Sequence, residues 1–238
     1  MRFTLAFLLM IPLLAEVRPE TKAAFDRYVQ AEELRMERDA AAGKFLLKGQ
    51  TKRAVTETSE VRPSKDIWIP NGQAQHWIGA VFFPGATIAK VKSVMQDYDS
   101  YPRIYHPDIT KAKLISHEGN DFELFLQIYK KQILTVVLDT TYRVHYAFPD
   151  PHRMTIRSHG IRIQEVDHDR GFLWGLSNYW RFQEADGGVY VECEAISLSR
   201  DVPGFVQVVV GSFLKKFPIE SMRNTLEFTR REVARKAS

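Results

Sequence analysis

The chain has 238 residues, 45% hydrophobic, 26% charged and 12% aromatic, a balance that excludes a disordered or fibrous protein and allows a buried core. Lys and Arg total 33 against 29 Asp and Glu, and the resulting charge of +4 is too mild and too evenly spread to point to nucleic acid. A single cysteine, Cys193, excludes an internal disulfide framework, a cysteine-rich zinc site and an iron–sulfur cluster; with no HExxH, P-loop or GxGxxG, no metal or cofactor is expected.

Met1 and Arg2 precede thirteen uncharged residues, Phe3 to Ala15, before Glu16, Arg18 and Glu20 restore polarity. The run is shorter than the roughly 20 residues a spanning helix needs and is broken by Pro12, so it predicts a signal peptide over 1–15 and an exported protein, periplasmic or extracellular. Leu13 stands where a small residue is usual three positions before a cut after Ala15, so the cleavage point is fixed only to within several residues. The expected organisation is this signal, a helical extension over 16–45 and one domain over 46–238.

In chain order, Phe25, Tyr28, Val29, Glu32, Met36 and Ala40 recur at helical spacing from Thr21 to Ala42, and Gly43 ends the run. The period then becomes two: Lys52 to Arg62 and Gln73 to Phe83 read as strands, Asn71-Gly72 as a hairpin signal and Pro84-Gly85 as a stop. Thr87 is placed to cap a helix bearing Ile88, Val91, Val94, Met95 and Tyr98, ended by the Tyr101-Pro102 step, after which Tyr105 to Asp108 form a loop. Six extended segments follow, about 109–117, 121–130, 133–147, 153–166, 172–184 and 188–200. Their short polar connections imply antiparallel neighbours. Beyond Asp201 the chain turns helical from Phe205 to Phe217, with Pro218 in a first-turn position and Ile219, Met222, Leu226 and Val233 down one face. This order predicts an α+β domain in which a curved antiparallel sheet folds against the last helix.

That order, with Tyr98-Asp99-Ser100-Tyr101-Pro102 after the first domain helix, SNYWRF at 177–182, GGVYVECEAISLSRD at 187–201 and Pro203, resembles the START-like superfamily, also called SRPBCC or helix-grip, in its bacterial branches. The resemblance covers about 73–236 and leaves the 21–42 helix outside. It implies a cavity between sheet and C-terminal helix that takes lipids, quinones, hormones or polyketides, mostly in carriers and sensors, with cyclases and ring oxygenases in the minority. The oxygenase branch needs two His and one carboxylate on a shared site, and no helix here carries that set.

Strand alternation assigns faces. Phe172, Trp174, Leu176, Asn178, Trp180 and Phe182 share the inner face; with Asp186-Gly187 as the turn, Arg181 stands opposite Glu192 or, one pair along, Glu194. Val189, Val191, Cys193, Ala195 and Ser197 then point inward, as do Leu134, Val136, Leu138, Thr140, Tyr142 and Val144. The outer set, Arg143, His145, Arg157, His159, Arg181, Glu192 and Glu194, reads as a solvated face laced with ion pairs, on which Arg181→Ala would cost less than about 1 kcal/mol. An acid/base pair such as His145 with Glu192 is the sharper alternative there. Cys193 reads as a small buried hydrophobe, Asp167-His168-Asp169 as a turn, and His76-Trp77 as strand packing; His106 and Asp108 lie where a loop can touch a ligand at a cavity mouth.

Small polar groups in an apolar wall suit a pocket that orients its ligand. The candidate pocket lining is Leu138, Thr140, Tyr142, Trp174, Asn178, Trp180, Val191, Cys193, Ser197, Phe213, Phe217 and Met222. The reading favours non-enzymatic binding or transport of a hydrophobic small molecule, with no nucleic-acid partner and at most a transient membrane contact. A cyclase- or hydrolase-like enzyme using the same cavity, or a structural or partner-binding protein with a filled core, are the alternatives. The export reading predicts that N-terminal sequencing of the protein from its native host begins near Glu16; recovery of intact Met1 in the cytosol would overturn it.

Overall fold

The computed structural model describes residues 17–46, 60–63, 67–131, 135–166, 173–200 and 204–236, with 60, 62 and 204–217 described by backbone alone. The proposed signal segment, most of the 52–62 strand and the Asp167-His168-Asp169 turn therefore lie outside the described residues. Helix α1 (Pro19–Ala41) carries Glu20 in its first turn and Arg38 in its last, both complementary to the helix dipole. Strands β1 (Glu60–Pro63) and β2 (Gly72–Pro84) lead to helix α2 (Ile88–Met95), a 3-10 turn (Tyr98–Ser100) and the single helical turn α3 (Tyr101–Ile104). The meander follows as β3 (Ile109–Glu118), β4 (Asp121–Lys131), β5 (Thr135–Asp150), β6 (Arg153–Glu165), β7 (Gly175–Ala185) and β8 (Gly188–Arg200), and α4 (Gly204–Arg235) closes the chain. The eight strands form one antiparallel sheet in the order β1-β2-β8-β7-β6-β5-β4-β3.

The β7–β8 turn fixes the register on which the two faces depend. Asp186 and Gly187 both have positive φ, 56° and 79°, the geometry of a two-residue hairpin turn. It sets Arg181 opposite Glu192 and Trp180 opposite Cys193, as the first of the two registers requires. A slip of one residue would turn every side chain to the other face.

On the inner face Val81, Phe83, Phe182, Val189 and Met154 pack against Val91 and Val94 of α2 and Leu226 and Val233 of α4. Close approach of α4 to β2 requires Gly79, where a Cβ would stand 2.6 Å from Met222 Sδ and 2.7 Å from Leu226 Cδ1. At its far end α4 is tied down by Arg103 of α3, which donates to both oxygens of Glu232 at 2.8 and 3.0 Å, and by Lys236 to Asp97 at 3.0 Å. Hydrogen bonds from Arg235, at 2.7 and 3.0 Å, and from Arg103 hold the Glu232 carboxyl well below its usual range.

Several local expectations change. Thr87 caps α2 by accepting from the Lys90 N–H, but the helix stops at Met95, and Pro102 begins α3 instead of ending α2, because proline suits a first helical turn. Pro218 lies inside one continuous helix, since a single missing N–H removes only one backbone bond from a helix packed along the sheet. The Asn71-Gly72 turn closes only an Ile69–Gly72 bridge, and β1 reaches β2 by a longer connection.

The largest correction concerns the outer face, which is covered over β7 and β8, whereas Arg143 and His145 on β5 are exposed as expected. Phe25 of α1 packs against Ile69, Tyr179, Ile196 and Leu198, and Gly175 permits this because a Cβ there would lie 2.8 Å from the Phe25 ring. Under the same helix Arg181, Glu192 and Glu194 are only 7%, 1% and 0% exposed. Strand alternation places them correctly on the outer face, but it cannot say what lies above a face. Arg181 bonds both buried carboxylates, and its loss takes a cation from Glu192 and leaves Glu194 with the Arg35 and His76 bonds, so Arg181→Ala is expected to cost about 3–5 kcal/mol, the same as about 3–5 kcal/mol for Trp180→Ala. Denaturant melts of the two variants should show comparable losses; a loss below about 1 kcal/mol at Arg181 would mean that α1 does not seal this face in solution.

Candidate functional site

Two internal features compete as the functional centre, one on each side of β7 and β8. On the outer side the Glu194 carboxylate accepts from Arg181 Nη2, from Arg35 Nη2 of α1 at 2.7 Å and from His76 Nε2 at 2.9 Å. Because an ionised carboxylate can only accept, His76 donates to it from Nε2, and its Nδ1 is hydrogen-bonded with the Tyr28 hydroxyl at 2.9 Å. Arg35 also donates to Glu32 at 2.8 Å and to Asp39 at 3.0 Å. Burial pushes the Glu194 carboxyl up, but the His76 hydrogen bond and the Arg181 and Arg35 charges outweigh it and hold the group at about 2. Around this centre Glu33 binds His159 at 3.2 Å and the Tyr179 hydroxyl at 3.0 Å, while Arg157 pairs with Glu37 at 3.1 Å.

By donor type Glu32, His76 and Glu194, whose ligand atoms lie within 4.8 Å of one another, match a cation site. Two guanidinium groups bonded to the same carboxylate oppose a cation there. The arrangement instead fastens α1 to the sheet. The alternative pairing of His145 with Glu192 does not form: His145 is exposed on β5 and bonds Asp121 at 2.8 Å, whereas Glu192 is buried on β8.

Glu194 gives this fastening a pH signature. Its folded value lies below the usual 4.5, so its contribution to stability is fully present above about pH 4.5 and is lost as the pH falls towards 2. Unfolding midpoints should drop across that window, and the Glu194→Gln variant, already destabilised at neutral pH, should show a flatter acid limb. An unchanged slope in the variant would remove Glu194 from the account.

On the inner side the sheet, α2, α3 and α4 enclose a cavity of about 310 Å³. Of the candidate lining residues Leu138, Tyr142, Asn178, Trp180, Cys193, Ser197 and Met222 stand in its wall. Three do not. Thr140 is buried and donates its hydroxyl to the Leu126 carbonyl at 2.7 Å, and Val191 is spent in the packed core. Trp174 precedes β7, where alternation has not begun, and packs with the α1 cluster; its neighbour Leu173 lines the cavity in its place. Side chains of Phe213 and Phe217 lie outside those described. Burial pushes the Cys193 thiol far up, which keeps it protonated as a small apolar group.

The sequence reading misses Trp77, the tyrosines at 98, 101, 105 and 146, and Lys130, all in the wall; it places Asp108 only at the mouth. At one end Tyr101 and Tyr146 both donate to the Met95 carbonyl, at 2.7 and 2.8 Å, and so satisfy an orphan acceptor at the C-terminus of α2. Tyr146 having spent its proton, Tyr98 donates to it at 2.8 Å; Thr229 having given its own to Thr225, Tyr105 donates to Thr229 at 3.0 Å. Ten residues away along β5 from Tyr146, at Val136, the wall is built by Lys130 and Asp108, which form an ion pair. The sequence does carry a signal for Lys130: it is the last member of the inward alternation Phe122, Leu124, Leu126, Ile128, Lys130.

No protein-family model and no curated protein matches the sequence. Solved structures do match. An aromatase/cyclase, Zhui from Streptomyces sp. R1128, superposes with a TM-score of 0.54 at 15% identity, over 70% of this chain and 97% of its own. A STAR-related lipid transfer protein from Xanthomonas axonopodis (fragment 25–204) gives 0.51 at 16% identity, over 73% and 98%. The protein TTHA0849 of Thermus thermophilus gives 0.52 at 12% identity, over 68% and 98%. The chain has the helix-grip fold of START-like proteins. At these identities the helix-grip likeness extends to the fold alone, and the cavity must speak for itself.

Proposed function

We propose that this helix-grip chain binds a hydrophobic small molecule, non-enzymatically, in the cavity between the sheet and α4. The single observation that carries the reading is the cavity's composition: Trp77, Trp180, Leu126, Ile128, Leu138 and Met222 make a predominantly apolar wall, broken by Asn178, Ser158 and Ser197. A space of about 310 Å³ with that lining suits the body of a lipid-like molecule, whose burial contributes about 25 cal/mol for each Å² of apolar surface removed from water. The lipid transfer function named for the Xanthomonas protein supports the same reading. On this proposal the uncharged segment Phe3 to Ala15 directs export, and the protein carries its ligand in the periplasm or outside the cell.

Titration of delipidated full-length protein with fatty acids, quinones and sterols, followed by tryptophan fluorescence, should give a saturable change for at least one class through Trp77 and Trp180. Ala195 lies in the wall, and Ala195→Phe fills the space from the sheet side. That variant should weaken binding at least about tenfold, the equivalent of about 1.4 kcal/mol, without loss of fold. Absence of any saturable response, together with unchanged behaviour of the filled variant, would favour a structural or partner-binding role.

A further inference from the structure

Resting on the cavity-binding reading, we infer that the ligand carries an uncharged head group able both to donate and to accept a hydrogen bond, an alcohol or an amide, and that this head is bound between Lys130 and Asp108. Along β5 the cavity runs from Tyr146 to Val136, ten residues or about 33 Å of strand. Its two ends differ in chemistry. At the tyrosine end the four hydroxyl protons of Tyr98, Tyr101, Tyr105 and Tyr146 are already committed to protein acceptors, so none of these four is left to donate to a ligand carbonyl or carboxylate. At the other end Lys130 and Asp108 are the two charged side chains in the wall among the described residues.

The Lys130 and Asp108 side chains are only 14% and 16% exposed, and both also border a smaller cavity of about 220 Å³ with Ser221, Lys131 and Glu220. An ammonium has three donors and a carboxylate four lone-pair positions, so the pair does not exhaust either partner. Their charges, however, already cancel. A carboxylate or phosphate entering beside them would add an uncompensated anion to a desolvated site where Asp108 is a neighbour and Glu220 lies beyond it. An amine would set a second cation against the Lys130 ammonium, with Lys131 on the border of the smaller cavity. A hydroxyl or amide takes a bond from Lys130 Nζ and gives one to Asp108 without changing the charge, which is the cheapest way to occupy both. Burial also draws the Lys130 ammonium below the usual lysine value despite Asp108 and Glu220, in keeping with a site poor in water.

Four chain-matched probes test the inference on the full-length, delipidated protein: dodecane, dodecanol, dodecanoate and dodecylamine, followed by calorimetry and tryptophan fluorescence. Dodecanol should bind at least about tenfold more tightly than dodecane, the yield of hydrogen bonds to charged groups, and more tightly than either charged probe. In Lys130→Met/Asp108→Asn, which removes both charges together, dodecane binding should persist while the advantage of dodecanol disappears. Asp108→Asn alone removes one negative charge from beside Lys130, and the preference should move towards dodecanoate. If dodecane and dodecanol bind equally, if dodecanoate or dodecylamine is preferred by the unmodified protein, or if the double variant keeps the alcohol preference, the head-group assignment is overturned while the cavity reading stands. If none of the four binds, the cavity reading itself falls.

Discussion

A buried carboxylate that is satisfied from three directions holds this molecule together. Glu194 lies on the outer face of the strand that also lines the cavity, and it accepts from Arg181 on β7, His76 on β2 and Arg35 on α1. A charge at that depth without partners would be costly enough to prevent the strand from occupying its register. The three donors come from three separate elements, so the carboxylate is tolerated only when β2, β7 and α1 are all in place. The β8 register, the position of Cys193 and Ser197 on the opposite face, and the docking of α1 are therefore parts of one requirement.

The same residue shows where the sequence is readable and where it is not. Period-two alternation and the Asp186-Gly187 turn are enough to pair Arg181 with Glu192 and to send Trp180 and Cys193 inward, because register and face are local consequences of the backbone. Whether the outer face meets water or a helix is a long-range fact: Arg35 and Glu194 are 159 residues apart, and no local pattern links them. The amphipathic 21–42 segment is legible as a helix, but its buried stripe contains Glu32 beside Phe25, which reads equally well as a free-standing polar helix. The strong match of opposite charges between Arg181, Glu192 and Glu194 in fact favours the solvated reading, since such ladders usually occupy surfaces.

The cavity is half legible for a related reason. Residues in the middle of regular strands, such as Leu138, Asn178, Cys193 and Ser197, fall where alternation puts them. Residues at the edges of regularity do not: Trp174 and Leu173 exchange sides because β7 begins only at Gly175, and the tyrosines between α2 and β3 belong to short helical turns whose direction no period predicts. Lys130 is hidden differently. It obeys the alternation of β4 faithfully, and it escapes notice because a lysine at the end of an apolar series is ordinarily read as leaving for solvent.

A space left between a sheet and a helix is a packing defect, and it destabilises the fold in proportion to the contacts its walls forgo. Proteins with one apolar layer must recover that loss within the same layer. Here β7 and β8 are covered on both faces, so the layer that holds the fold and the layer that holds the space are distinct. Phe25, Tyr179, Ile196 and Leu198 pack tightly beneath α1 on one side of β7 and β8, while Asn178, Cys193, Ala195 and Ser197 stand on the other side against the cavity. The tyrosine cluster performs the corresponding service at its own end of the cavity, where its hydroxyls finish the backbone of α2 and bind Thr229 of α4, leaving the rings as wall. Cohesion supplied by the outer network and by the fastened end of α4 is what allows Lys130 and Asp108 to face a space that the described side chains leave open.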